Sequence, residues 1–107
     1  MDYSKALELW KDEIGDKEYS YDFSGKKIKK EDYLLTNEVG WVISYVRPLE
    51  LGGTKDKGNI IILHHRTHDE KGLNYPNFKI NHTHYTCVYD QKYDYNYIEE
   101  VLDDEDE

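Results

Sequence analysis

Residues 40–72 read GWVISYVRPLELGGTKDKGNIIILHHRTHDEKG, and the fold turns on how they are interpreted. The β-branched and aromatic run at 41–46 has the composition of a buried strand, and Pro48 with Gly52-Gly53 stops it and turns the chain back. A second apolar run follows, Ile60, Ile61, Ile62 and Leu63. Residues 64–71 then contain neither Gly nor Pro, are closed by Gly72, and are long enough for two helical turns. The predicted local order is strand, loop, short strand, short helix.

That order carries Val46, Pro48, Gly52, Gly53, Thr54, Asn59, Leu63, His64, His68, Lys71 and Gly72 at a spacing that resembles the HNH nuclease module, the ββα-metal or His-Me finger fold. Flanking segments extend the resemblance over roughly residues 20–80: Asp22-Phe23-Ser24-Gly25-Lys26-Lys27-Ile28 and Tyr33 upstream, Asn74-Tyr75-Pro76 downstream. The resemblance implies an α+β fold, a small HNH-like ββα-metal core, here with an N-terminal helix and additional C-terminal strands or a short helix. It implies that Asn59 braces the loop before it. It also implies that His68 stands where the family has its last metal ligand, and that residue 45 faces the helix bearing His68.

The departure from the family pattern falls on the reacting groups. Where the family has Asp-His, a metal-binding carboxylate and a general base, this chain has Ser44-Tyr45. Serine is a poor neutral ligand, and a phenol with a reference pKa of about 10 is a poor base near neutral pH. Loss of a carboxylate also weakens the hold on Mg²⁺, which relies on charged oxygen and water. The expectation is a retained scaffold with degenerate positions at Ser44 and Tyr45, inherited Asn59 and His68, and no cofactor. In the alternative reading a divalent metal is kept.

A chain of 107 residues is one domain by length, expected over residues 1–98, with a mostly disordered acidic tail at 99–107. The formal charge is −9, and seven of those negative charges fall in the tail, leaving −2 on the other 98 residues. Such a balance argues against a general nucleic-acid binder, because phosphate attraction depends on Lys and Arg displacing counterions. The single cysteine, Cys87, excludes an intramolecular disulfide and a cysteine-based zinc cluster. No apolar run approaches the ~20 residues of a membrane span. A cytoplasmic, non-membrane protein is expected, and the resemblance adds the setting of a phage-encoded protein acting in its host.

Residues 3–14 give the clearest helix, with Tyr3, Ala6, Leu7, Trp10 and Ile14 on one stripe, Asp2 as its cap and Gly15 as its stop. Residues 18–23 alternate as a half-buried strand, and Ser24-Gly25 supplies the turn. Lys26, Lys27, Lys29 and Lys30 then form the one dense basic cluster, either a solvated surface or a phosphate contact. His64 and His68, four apart, would share a helix face and could jointly hold a transition metal; the plainer reading packs His64 at the helix start. Residues 80–89 read as one or two strands, with a short helix possible near 93–102.

Tyrosine is dense toward the C-terminus, and Tyr85, Tyr89, Tyr93, Tyr95 and Tyr97 are the candidate partner-binding residues, since a phenol joins apolar area to a polar tip. Three classes of function follow. One is a degenerate HNH-like protein that acts by binding, an inhibitor or counter-defence or immunity-type protein directed at a basic nucleic-acid-processing enzyme. The second is a metal-dependent HNH-type DNA endonuclease with an altered site, whose partner is nucleic acid. The third is a structural component. The first is favoured, because shape-determining residues are kept around two replaced working groups.

Overall fold

The computed structural model describes residues 2–102. Its elements run α1 (Tyr3–Glu13), β1 (Tyr19–Tyr21), β2 (Lys27–Lys29), β3 (Trp41–Tyr45), β4 (Ile60–His64), α2 (His65–Lys71), β5 (Asn77–Ile80), β6 (Thr83–Asp90) and β7 (Tyr95–Glu100). Short 3-10 turns occupy Leu49–Leu51 and Lys57–Asn59. The fold is α+β: two helices and small sheets β1-β2, β3-β4 and β5-β6-β7. No described helix is long and apolar enough to cross a membrane.

The chain gathers into two compact units. One holds the residues up to Ser44 with Ile62–Asp69, and the other Tyr45–Ile61 with the residues from Glu70 onward.

The first unit packs around indoles. Asp2 caps α1 by accepting from the Lys5 amide at 2.8 Å, and Ala6, Leu9 and Trp10 are its buried residues. The buried face is rotated from the predicted stripe: Leu9 enters the core while Tyr3 stays half exposed, because the helix turns toward Trp41. Trp10 and Trp41 rings lie 5.0 Å apart at 49°, and Tyr33 lies 4.8 Å from Trp41 on a parallel bridge to it. Tilted aromatic pairs at such distances gain beyond their buried area. Each indole also donates, Trp10 Nε1 to the Lys17 carbonyl and Trp41 Nε1 to the Lys30 carbonyl. Gly40 has no alternative here, since a Cβ would lie 1.7 Å from the Leu35 carbonyl oxygen.

Asp22 ties this unit's segments together. Its buried carboxylate accepts from the Ser24 amide and hydroxyl at 3.0 and 2.7 Å, from the Lys26 amide at 3.1 Å, and across 42 residues from the His64 amide at 3.1 Å. The Ser24 hydroxyl also meets the buried Thr67 hydroxyl of α2 at 3.1 Å.

In the second unit β5, β6 and β7 form an antiparallel meander with Phe78 opposite Tyr85 and Val88 opposite Tyr97. Asn81 and His82, both at positive φ, make the tight turn between β5 and β6. The segment expected as a short helix near 93–102 is strand β7. Its Tyr-Asn-Tyr-Ile alternation has period two, and β6 pairs with the backbone groups on the side that faces it. Glu99 and Glu100 belong to that strand, and the rest of the expected tail from 103 to 107 lies outside the described residues.

Replacing Asp22 with Ala leaves the buried His64 amide and the part-buried Ser24 and Lys26 amides without this acceptor. Because unsatisfied buried donors and lost charge-assisted bonds each matter, Asp22→Ala is expected to lower stability by about 2–4 kcal/mol in urea denaturation, and Asp22→Asn by less.

Candidate functional site

The residues singled out at the end of β3 and on α2 meet through one hydrogen bond. Ser44 Oγ, buried near the end of β3, lies 2.9 Å from His68 Nδ1 on α2. It is Ser44 that contacts this histidine, and the neighbouring Tyr45 is half-buried as the last residue of β3.

His64 does not share a helix face with His68, because it is the last residue of β4 and α2 begins one residue later. Its ring is fully engaged. The Arg66 amide donates to Nδ1 at 3.0 Å, so Nε2 carries the proton and donates to the Glu38 carbonyl at 2.9 Å. The neighbouring His65 ring stacks on it at 4.4 Å. A metal would need a nitrogen lone pair that His64 has already committed. With a neutral serine beside His68, these residues do not fit a divalent ion, and no cluster of three or more His, Cys, Asp or Glu suited to metal occurs among the described residues.

Asn59 is a brace. Its carboxamide accepts from the Arg47 amide at 2.8 Å and donates to the Arg47 and Thr54 carbonyls at 3.0 and 2.7 Å. Closing the loop this tightly requires Gly53, where a Cβ would fall 1.9 Å from the Arg47 carbonyl oxygen.

The basic cluster is partly absorbed by its own sheet. Lys27 and Lys29 ammoniums lie 4.5 and 5.6 Å from the Tyr19 ring centroid, and Lys29 pairs with Glu31 at 3.8 Å. The Lys29 pKa is raised, first by Tyr19 and then by Glu31. Lys26 Nζ donates to Ser24 Oγ at 3.3 Å, and Lys30 is half-buried.

The tyrosines divide. Tyr85 is not a surface residue: it is buried and stacked on Phe78 at 5.7 Å. Tyr93, Tyr95 and Tyr97 are exposed, and the last two form a tilted pair at 5.6 Å. Tyr89, also exposed, donates its hydroxyl to Asp94 Oδ1 at 2.6 Å, and this bond is the main reason its pKa is raised. The Tyr97 phenol is also shifted upward, chiefly by desolvation.

Two groups escape sequence reasoning. Asp22 reads as part of the half-buried strand at 18–23, and nothing local announces its bond to His64. Lys71 reads only as the last residue of the predicted helix, yet it is 1% exposed, its ammonium donating to the Val46 carbonyl at 3.1 Å beneath the Phe78 ring. Burial pushes its pKa below the usual 10.5, opposed by Cys87, whose own pKa is raised by burial.

Comparison with protein-family models, with curated proteins and with solved structures finds no match to this chain.

The Lys71 shift has a sign that denaturation can read. Between its folded-state pKa and 10.5 the unfolded chain binds the additional proton, so the lysine's unfavourable contribution fades as pH rises through that interval. Urea titrations at about pH 7.5 and about pH 9.5 should show wild type gaining on Lys71→Met at the higher pH. The raised tyrosines are common to both proteins and drop out of the difference.

Proposed function

We propose that this chain is a catalytically degenerate HNH-like protein that acts by binding, as an inhibitor or immunity-type protein directed at a basic nucleic-acid-processing enzyme. The observation that carries the reading is the Ser44–His68 hydrogen bond. At the two positions where the resemblance calls for metal ligands, a neutral hydroxyl and an imidazole satisfy one another.

The strand, loop, strand and helix order and the Asn59 brace support a retained scaffold around that replacement. The net charge of −9 favours a basic partner, and the exposed Tyr93, Tyr95 and Tyr97 offer contact area that salt does not screen.

Plasmid nicking in the presence of Mg²⁺, Mn²⁺, Ni²⁺ or Zn²⁺ is expected to remain at background, since general-base assistance alone contributes about 10²- to 10⁴-fold and a carboxylate ligand is missing as well. Cleavage abolished by both EDTA and His68→Ala would establish the endonuclease instead.

Capture from the native host should return a basic protein. With that partner, Tyr95→Ala is expected to speed dissociation by at least about tenfold, whereas removal of residues 103–107 slows association and weakens its salt dependence. Recovery of nucleic acid alone would refute the partner class.

A further inference from the structure

Arg47, Asp56, Tyr75, Tyr89, Asp94 and Asn96 surround a cavity of about 330 Å³ within the second unit. Its size lies at the small end of ligand pockets, about 300–1,000 Å³, and suits a side chain better than a whole cofactor. Gly52 and Gly53 form part of its wall, and a Cβ on Gly53 would also come within 2.9 Å of the Asn59 amide nitrogen.

The lining has a definite chemical preference. Asp56 and Asp94 are the acids of the lining and Arg47 its one base, so the walls carry one negative charge in excess. Arg47 is already occupied: its Nε donates to the Leu51 carbonyl at 2.8 Å and its guanidinium carbon lies 5.6 Å from the Tyr75 ring centroid. Asp94 spends Oδ1 on the Tyr89 hydroxyl, and a carboxylate offers further lone pairs on its second oxygen. The same bond fixes the Tyr89 phenol beside the cavity. Planar cations stack on aromatic faces while their N–H groups fork onto carboxylates, a combination that an ammonium cannot reproduce. Phosphate would meet the excess negative charge unfavourably.

We infer that this cavity receives the guanidinium of an arginine side chain presented by the partner. The inference rests on the binding function proposed above and gives that partner a specific recognition element, an exposed arginine.

N-acetyl-arginine amide is a suitable probe, because it carries the guanidinium without charged termini and does not require the partner. Titrated into the ¹⁵N-labelled full chain, it should shift the amides of Gly53, Thr54 and Asn96 saturably. N-acetyl-lysine amide should bind at least about fivefold more weakly, and 5′-AMP should leave these amides in place. Asp94→Asn, and independently Asp56→Asn, should weaken the arginine probe at least about fivefold, with the amide spectrum reporting that each variant is folded.

Equal binding of the lysine and arginine probes would reduce the effect to general acidity and overturn the proposal, as would the absence of saturable shifts. Saturation by 5′-AMP, lost in Arg47→Gln, would reassign the cavity to an anion. Failure of the probe with a basic protein still captured by the tyrosine surface would sink this inference alone. Binding of the probe with no basic partner captured from the host would uphold the cavity and sink the proposed function.

Discussion

A carboxylate taken out of water must find donors, and in this protein the requirement falls on Asp22. Its four partners come from the turn after β1 and from the junction of β4 with α2, so satisfying one charge fixes the turn and the start of the helix together. Ser24, held by that carboxylate, reaches Thr67 in the first turn of α2. The position of α2 in turn sets His68 against Ser44. The contact at the candidate site is thus two steps removed from a buried anion that takes no part in it.

The second unit solves a parallel problem with opposite charge. Lys71 is buried as an ammonium and has carbonyl oxygens and an aromatic face around it, but no carboxylate partner among the described contacts. Charged groups in such surroundings are held by dipoles, and removing a dipole is felt more than removing a salt bridge at the surface. Asn59 uses neutral bonds for a related task, replacing the missing regular backbone pairing of its loop with a carboxamide that acts as both donor and acceptor.

Sequence reading succeeded where the physics is local. Composition and bracketing by Pro and Gly located β3, β4 and α2, and the Asp2 cap located the start of α1. It erred where a nonlocal partner decides. Leu9 rather than Tyr3 is buried because Trp41, far along the chain, determines which side of α1 is inside. Tyr95 to Glu100 became strand because β6 offers a register that a short isolated helix could not match. Tyr85 looked like its exposed neighbours, and only its place opposite Phe78 distinguishes it. At the candidate site the residues Ser44, Asn59 and His68 were legible, but the engagement of both His64 nitrogens was not, since Glu38 contributes from 26 residues away.

β7 is the last strand in its sheet, and its end carries Glu99 and Glu100 in succession. Adjacent strand residues project to opposite faces, so an acid guards each side of this edge. An edge strand exposes hydrogen-bonding groups that invite a second identical strand, and like charge on both faces discourages that union. Glu99 and Glu100 therefore have a use independent of any partner: they oppose the pairing of a second identical strand along the end of β7.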